Sequence, residues 1–99
     1  MADLSLYFRA LADRKRLSMV THLATRGEVT VSQMGEELRM SQPLISWHLR
    51  KLRRAGIVET QRDGRQVRCS LNRKALRGYQ RAMEDLVNSP KPAKPARAG

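Results

Sequence analysis

The stretch from Thr30 to Leu71 decides the fold, and its sequence is TVSQMGEELRMSQPLISWHLRKLRRAGIVETQRDGRQVRCSL. Thr30 followed by Gln33 forms a capping box, which predicts a short helix over Val31 to Arg39. Ser41 is a second N-cap, so another helix is expected to begin directly after it. The stretch therefore opens with two short helices joined by a tight turn.

A β-hairpin is predicted to follow. Gly56 ends the second of these helices, and residues 57–62 and 65–71 form two strands around Asp63-Gly64, a strong signal for a type I′ turn. A two-residue loop sets the register of the strands. The expected cross-strand pairs are Thr60 with Val67 and Val58 with Cys69 on an apolar face, and Glu59 with Arg68 on the other.

The flanking segments predict three more helices. Residues 3–12 form the first. Asp13 can cap the second, which Gly27 ends, and Asn72 can cap the last. The expected apolar positions are Leu4, Phe8 and Leu11 on the first helix, Leu17, Val20, His22, Leu23 and Ala24 on the second, and Leu76, Tyr79, Met83, Leu86 and Val87 on the last.

Composition divides the chain into two parts. Residues 1–88 are expected to form one domain, which at this size has a modest core. Residues 89–99, SPKPAKPARAG, contain three prolines and three cations but no large apolar side chain, which predicts a disordered basic tail.

The charge of the chain is strongly positive and unevenly distributed. The formal net charge is +11, and the segment from Arg50 to Arg81 holds eleven Lys or Arg residues against two acids. Such a balance indicates a polyanionic partner, nucleic acid before an anionic membrane surface.

Several classes of protein are disfavoured by the sequence. It has no apolar run of membrane-spanning length and no signal-peptide pattern. A single cysteine, Cys69, cannot form an intrachain disulfide and fits a reducing cytoplasm. There is no Ser-His-Asp arrangement, phosphate-binding glycine loop or paired catalytic carboxylate. We therefore expect neither an enzyme nor a cofactor.

Helix, turn, helix and a two-stranded wing constitute the winged helix-turn-helix plan, mainly α with a β-hairpin. The helix over residues 42–54 then enters the DNA major groove at its N-terminal end, and cations further along meet phosphates. Gln42 suits an adenine edge, whereas Pro43 or Trp47 suits a thymine methyl. His48 is interpreted either as a phosphate contact or as a hydrogen-bonding group within the domain. The predicted DNA-binding residues are Ser41, Gln42, Pro43, Ser46, Trp47, His48, Arg50, Arg54, Arg65 and Arg68, with Arg53 as a further phosphate contact.

Four motifs together resemble the ArsR/SmtB family of bacterial transcriptional repressors. They are Ser41-Gln42, Ser46-x-His48-Leu49, the run from Leu52 to Ala55-Gly56-Ile57-Val58, and the Asp63-Gly64-Arg65 wing; the opening Phe8-x-x-Leu11-Ala12-Asp13-x-x-Arg16 also matches. The resemblance covers roughly residues 4–87. It implies a homodimer that binds an inverted repeat in double-stranded DNA through two recognition helices. The dimer interface it implies, on the first and last helices, consists of Leu4, Phe8, Leu11, Leu76, Tyr79, Met83 and Leu86.

The effector of such a repressor is not evident from the sequence. Metal-sensing members of the family place Cys-x-Cys on the third helix, or Asp and His on the last helix, and this chain lacks both sets. Cys69, His22 and His48 are scattered over three predicted elements, whereas a transition metal needs converging ligands. No metal site is therefore expected.

Other functions compete with a sequence-specific repressor. One is a non-specific architectural DNA-binding protein, which the varied side chains of the recognition helix disfavour. Another is a winged helix used for protein contacts, which the charge disfavours. A third is a redox-responsive repressor acting through Cys69, although a buried structural cysteine is the simpler interpretation.

Overall fold

The computed structural model describes residues 2–90 of the chain. The tail predicted over residues 89–99 thus lies outside the described residues, apart from Ser89 and Pro90. None of the helices within residues 2–90 is both long enough and apolar enough to cross a membrane. The elements in chain order are α1 Leu4–Leu11, α2 Arg14–Arg26, β1 Glu28–Thr30, α3 Val31–Leu38, α4 Gln42–Arg54, β2 Val58–Asp63, β3 Gln66–Leu71 and α5 Arg73–Val87.

The helices begin where capping side chains stand in the sequence. Asp13 accepts hydrogen bonds from the backbone N–H groups of Lys15 and Arg16. Thr30 and Gln33 form the predicted reciprocal capping box at the start of α3. The side chains of Ser41 and Asn72 cap α4 and α5, since each accepts a hydrogen bond from a backbone N–H three residues later. A cap of this kind contributes about 1 kcal/mol, so these local signals set the helix starts.

The wing belongs to a sheet of three strands, so the prediction of a two-stranded hairpin was incomplete. Strand order is β1-β3-β2, and both pairings are antiparallel. The added strand β1 has only three residues, too few for alternation to be recognised in the sequence. It exists because it pairs with β3, with Glu28 opposite Ser70, Val29 opposite Cys69 and Thr30 opposite Arg68.

The predicted hairpin register was wrong by two residues. Thr60 lies opposite Cys69, Val58 opposite Leu71, and Arg68 opposite Gln61 rather than Glu59. The loop consists of Gly64 and Arg65, with Gly64 at φ +64° and Arg65 at an ordinary negative φ. That combination is typical of a type II′ turn, not type I′. A slip of two residues leaves each side chain on its predicted face but changes its partners.

The hydrophobic core lies between the helices and one face of the sheet. Its largest fully buried side chains are Met19, Leu23, Val29, Met34, Ile45, Leu52, Ile57 and Cys69. Burial of each of the larger aliphatic ones contributes about 1.5–3 kcal/mol. On α2 the buried positions are Arg16, Met19 and Leu23. Leu17, which was predicted to face inward, is 49% exposed because that face points to solvent.

Gly64→Ala is expected to lower the free energy of unfolding by about 1–2 kcal/mol, because a side chain disfavours the left-handed conformation found there. Arg65→Ala, in the same turn but at an ordinary φ, is the matched control and should leave stability nearly unchanged. Urea unfolding of the two variants measures the difference. Equal stabilities would contradict the observed turn geometry.

Candidate nucleic-acid interface

The turn between α3 and α4 places the two helices in close contact. Arg39 takes the left-handed conformation at φ 56° and ψ 48°, and the N–H of Met40 donates to the Gly35 carbonyl at 2.9 Å. A Cβ added to Gly35 would lie 2.9 Å from the Met40 oxygen, which is closer than real Cβ contacts allow. Gly35 is therefore required for this turn, although no pattern in the sequence indicated it.

Helix α4 buries one face and exposes the other, in keeping with the helical spacing of its apolar residues. Ile45, Leu49 and Leu52 are buried in the core. The exposed positions are Gln42, Pro43, Ser46, Trp47, Arg50, Arg53 and Arg54, with the capping Ser41 also exposed. No acidic residue occurs on α4, and three cations occupy its last turn. The exposed face thus runs from small and polar side chains to a cationic end.

Gln42 is hydrogen-bonded to Ser32, a residue that no pattern in the sequence had singled out. Its Nε2 donates to Ser32 Oγ at 3.0 Å, which joins the start of α4 to the start of α3. Both side chains are exposed, so this hydrogen bond exchanges readily with water. The amide thus lies at the N-terminal end of the exposed face of α4 and is free to change partners.

His48 departs from the other predicted DNA-binding residues, because its side chain is turned into the domain. Only 3% of it is exposed, and its Nδ1 lies 3.1 Å from Nη1 of Arg16. Since a guanidinium only donates hydrogen bonds, this Nδ1 must accept, which assigns the neutral imidazole with its proton on Nε2. Of the two roles that the sequence left open for His48, the hydrogen bond within the domain is the observed one.

Arg16 is a buried cation that holds three elements together. It is 8% exposed, and its Nε donates to the Ala10 carbonyl at 2.7 Å. Burial lowers the pKa of His48, the nearby Asp13 carboxylate opposes that shift, and the Arg16 charge adds to it. A buried Arg at the start of α2 links the end of α1 to α4. In the sequence, only the place of Arg16 in the opening motif pointed to a special role for this residue.

Trp47 is half-exposed beside this buried pair, in agreement with its predicted place. Its side chain is 47% exposed, and its ring meets the His48 ring edge-on at 5.0 Å between centroids. Lys51 Nζ lies 4.5 Å from the centre of the Trp47 ring, within cation–π range. The indole is therefore available at the surface but held in place by a cation one turn later.

The two wing arginines predicted to bind DNA differ in their surroundings. Arg65 is exposed in the loop. The Arg68 guanidinium lies 3.2 Å from a Glu28 oxygen and 3.2 Å from an Asp63 oxygen, so it spans all three strands. Arg68 is therefore a weaker candidate for binding the DNA backbone than predicted, because its charge is already paired within the sheet. The expected Glu59–Arg68 pair is absent because of the register.

The candidate interface residues on α1 and α5 fall into two groups. Phe8 is 47% exposed and Leu86 61%. Leu4, Leu11, Leu76 and Met83 are partly buried. Tyr79 is only 8% exposed, stacks on Tyr7 at 4.1 Å and donates its hydroxyl proton to the Ala55 carbonyl. The prediction of Tyr79 as an interface residue is weakened, because its ring packs mainly against residues of its own chain.

Cys69 is fully buried, and burial raises the pKa of its thiol to about 11. A thiol with so high a pKa is almost entirely protonated at neutral pH, whereas the thiolate is the reactive form.

His22 Nε2 lies 3.0 Å from a Glu37 oxygen, without the alignment of a hydrogen bond. Among residues 2–90, no three His, Cys, Asp or Glu side chains converge as a metal site needs.

The described geometry is that of a winged-helix DNA-binding protein. Residues 13–60 match the family profile described as bacterial regulatory protein, arsR family. The chain is 43% identical over 60 residues to the arsenic resistance transcriptional regulator ArsR1 of Pseudomonas putida, a match that covers 61% of this chain and 47% of that relative. The chain thus spans about half the length of that relative.

Two further comparisons extend over more of the related protein. The arsenical resistance operon repressor of Bacillus subtilis is 32% identical over 71 residues, which cover 72% of this chain and 68% of the repressor. A solved ArsR-like transcriptional regulator from Rhodococcus sp. RHA1 superposes with a TM-score of 0.77 at 28% identity, over 85% of this chain and 78% of the regulator. The chain belongs to the ArsR family of bacterial transcriptional regulators, a class of DNA-binding protein and not of enzyme.

The free energy of unfolding is expected to decrease as the pH falls below about 6.5, the ordinary pKa of histidine. Because the pKa of His48 is lowered in the folded state, the unfolded chain takes up a proton there first, and stability is lost until the pH reaches the lower folded value. Urea unfolding between about pH 7.5 and 5.5 measures this dependence. His48→Gln should flatten it, and an unchanged pH dependence in that variant would contradict the assignment.

Proposed function

We propose that the protein is a transcriptional repressor that binds an inverted-repeat operator as a homodimer, through one α4 helix per subunit. The observation that carries the proposal is the exposed face of α4, which holds no acid and is graded from Gln42 and Ser46 to Arg50 and Arg54. Side chains with both donors and acceptors at the N-terminal end suit base edges, and cations beyond them suit phosphates.

The contacts in the proposed complex divide by chemistry. Gln42 contacts a base edge after releasing Ser32, and Pro43 or Trp47 packs on a thymine methyl. Arg50, Arg53 and Arg54 neutralise phosphates beside the groove, and Arg65 reaches the flanking backbone or minor groove from the wing. His48 takes no part in these contacts, because it is bonded to Arg16 inside the domain.

The dimer is supported by apolar surface left uncovered on α1 and α5. Phe8 and Leu86 are large and exposed, as is Val87 at 77%. Pairing these faces across a two-fold axis buries the same patch on both subunits. It also supplies two recognition helices, which would place the half-sites about 34 Å apart, one turn of DNA.

Architectural DNA binding is the main alternative. It needs only cations, whereas the hydrogen-bonded placement of Gln42 at the start of α4 favours base reading.

A thiol switch at Cys69 is less favoured, because the thiol is buried with a raised pKa. We also infer that regulation uses no metal, since the metal-sensing ligand sets are missing. Release of operator DNA by one equivalent of zinc or arsenite per subunit would contradict that inference.

Gln42→Ala and Arg65→Ala should weaken DNA binding in different ways. Loss of a base contact at Gln42 is expected to cost about 1–3 kcal/mol on the selected site and to relax base choice there. Loss of a phosphate contact at Arg65 should weaken all sequences alike and flatten the dependence of the binding constant on salt. Selection from random duplexes followed by fluorescence anisotropy measures both effects. If wild-type selection returns no palindrome, the architectural function is favoured.

Leu86→Glu combined with Met83→Glu is expected to give monomers that bind the operator weakly, because two charges per subunit would be buried in the interface. Leu17→Glu is the matched control, since Leu17 is another exposed leucine, on α2 and outside the proposed interface. Sedimentation velocity at micromolar concentration measures the oligomeric state. A monomeric wild type, or equal effects of the two changes, would contradict the proposed dimer.

A further inference from the structure

A small cleft lies between α1 and the C-terminal half of α4, beside the face proposed to read DNA. Its volume is about 180 Å³, and the residues that line it are Leu6, Arg9, Ala10, Arg16, Lys51 and Arg54. Four of these six are cations and none is acidic. Like charges brought together in this way repel each other unless an anion lies between them.

Arg16 gives the cleft a rigid wall. Only 8% of the residue is exposed, and two of its nitrogens are already bonded, Nε to the Ala10 carbonyl and Nη1 to His48. Within residues 2–90, its third nitrogen, Nη2, makes no hydrogen bond. The nearest carboxylate, Asp13, lies 3.9 Å from Nη1 and already accepts bonds from two backbone N–H groups. A fixed guanidinium with a free donor is preorganised for an oxyanion.

The other three cations surround Arg16 and, within residues 2–90, make no hydrogen bond to the core. Arg9 contacts only the Ser5 hydroxyl among the described hydrogen bonds, at 3.3 Å. Lys51 lies over the Trp47 ring, 4.5 Å from its centre, and Arg54 is exposed in the last turn of α4. These three can converge on a bound anion without disturbing the core. Such an arrangement matches the several charge-assisted hydrogen bonds that a phosphate group accepts.

We propose that this cleft binds a phosphate group, held by Arg16 and closed over by Arg9, Lys51 and Arg54. The phosphate comes either from the DNA backbone beside the operator or from a free phosphate-bearing small molecule. In both cases the bound group acts on the recognition helix, because Arg16 holds His48 and Lys51 covers Trp47. The cleft thereby gives α4 an additional point of attachment to a phosphate, formed with α1 and Arg16.

The test uses the full chain and inorganic phosphate, titrated at constant ionic strength maintained with chloride. Trp47 is the only tryptophan of the chain, so its fluorescence reports movement of Lys51 directly. A saturable change is expected in the wild type. Arg9→Gln should weaken phosphate binding about tenfold, the value of one lost charge-assisted hydrogen bond. Arg77→Gln, the same charge change on an exposed position of α5, should leave phosphate binding unchanged.

The salt dependence of binding to a DNA duplex identifies the source of the phosphate. If the cleft takes a backbone phosphate, Arg9→Gln lowers the slope of log K against log salt by about 0.9, and Arg77→Gln does not. If it takes a free ligand, the slope is unchanged and only the phosphate titration responds. Arg9→Gln behaving like Arg77→Gln in both measurements would overturn the proposal. The phosphate arm needs no operator, so its outcome is independent of the proposed repressor function.

Discussion

The hydrogen bonds of one buried guanidinium determine where α4 lies. Arg16 donates to the end of α1 and to His48 on α4, from its own place at the start of α2. A buried charge is costly unless its hydrogen bonds are satisfied, so any shift of α4 that breaks the His48 contact is penalised. That constraint positions both the exposed face of α4 and the cationic cleft beside it.

In the sheet, another arginine fixes the relative positions of the three strands. Arg68 connects β1, β3 and β2 through Glu28 and Asp63. These ion pairs are exposed and each contributes no more than about 1 kcal/mol, so they align the strands more than they stabilise them. Arg16 and Arg68 are thus bonded within the domain. Arg50 and Arg65 are exposed and remain available to a phosphate backbone.

Much of the fold could be predicted from local signals. Caps at Asp13, Thr30 and Ser41 act over three residues, and a hairpin signal such as Asp63-Gly64 is equally short-ranged, so each is visible in a short window of sequence. The exposed face of α4 followed from the same reasoning, because helical periodicity separates Ile45 and Leu49 from Gln42 and Ser46. His48 is the exception on this helix, because packing against Arg16 buries it.

The sequence by itself thus determined where the helices begin, that a hairpin follows them, and which face of α4 meets solvent. Tertiary structure alone decided the third strand and the partners of His48, Arg68 and Tyr79. The physical reason is distance along the chain: His48 meets Arg16 across 32 residues, Arg68 meets Glu28 across 40, and Tyr79 meets Ala55 across 24. Such contacts arise only when the elements pack, and periodicity within one element carries no information about them.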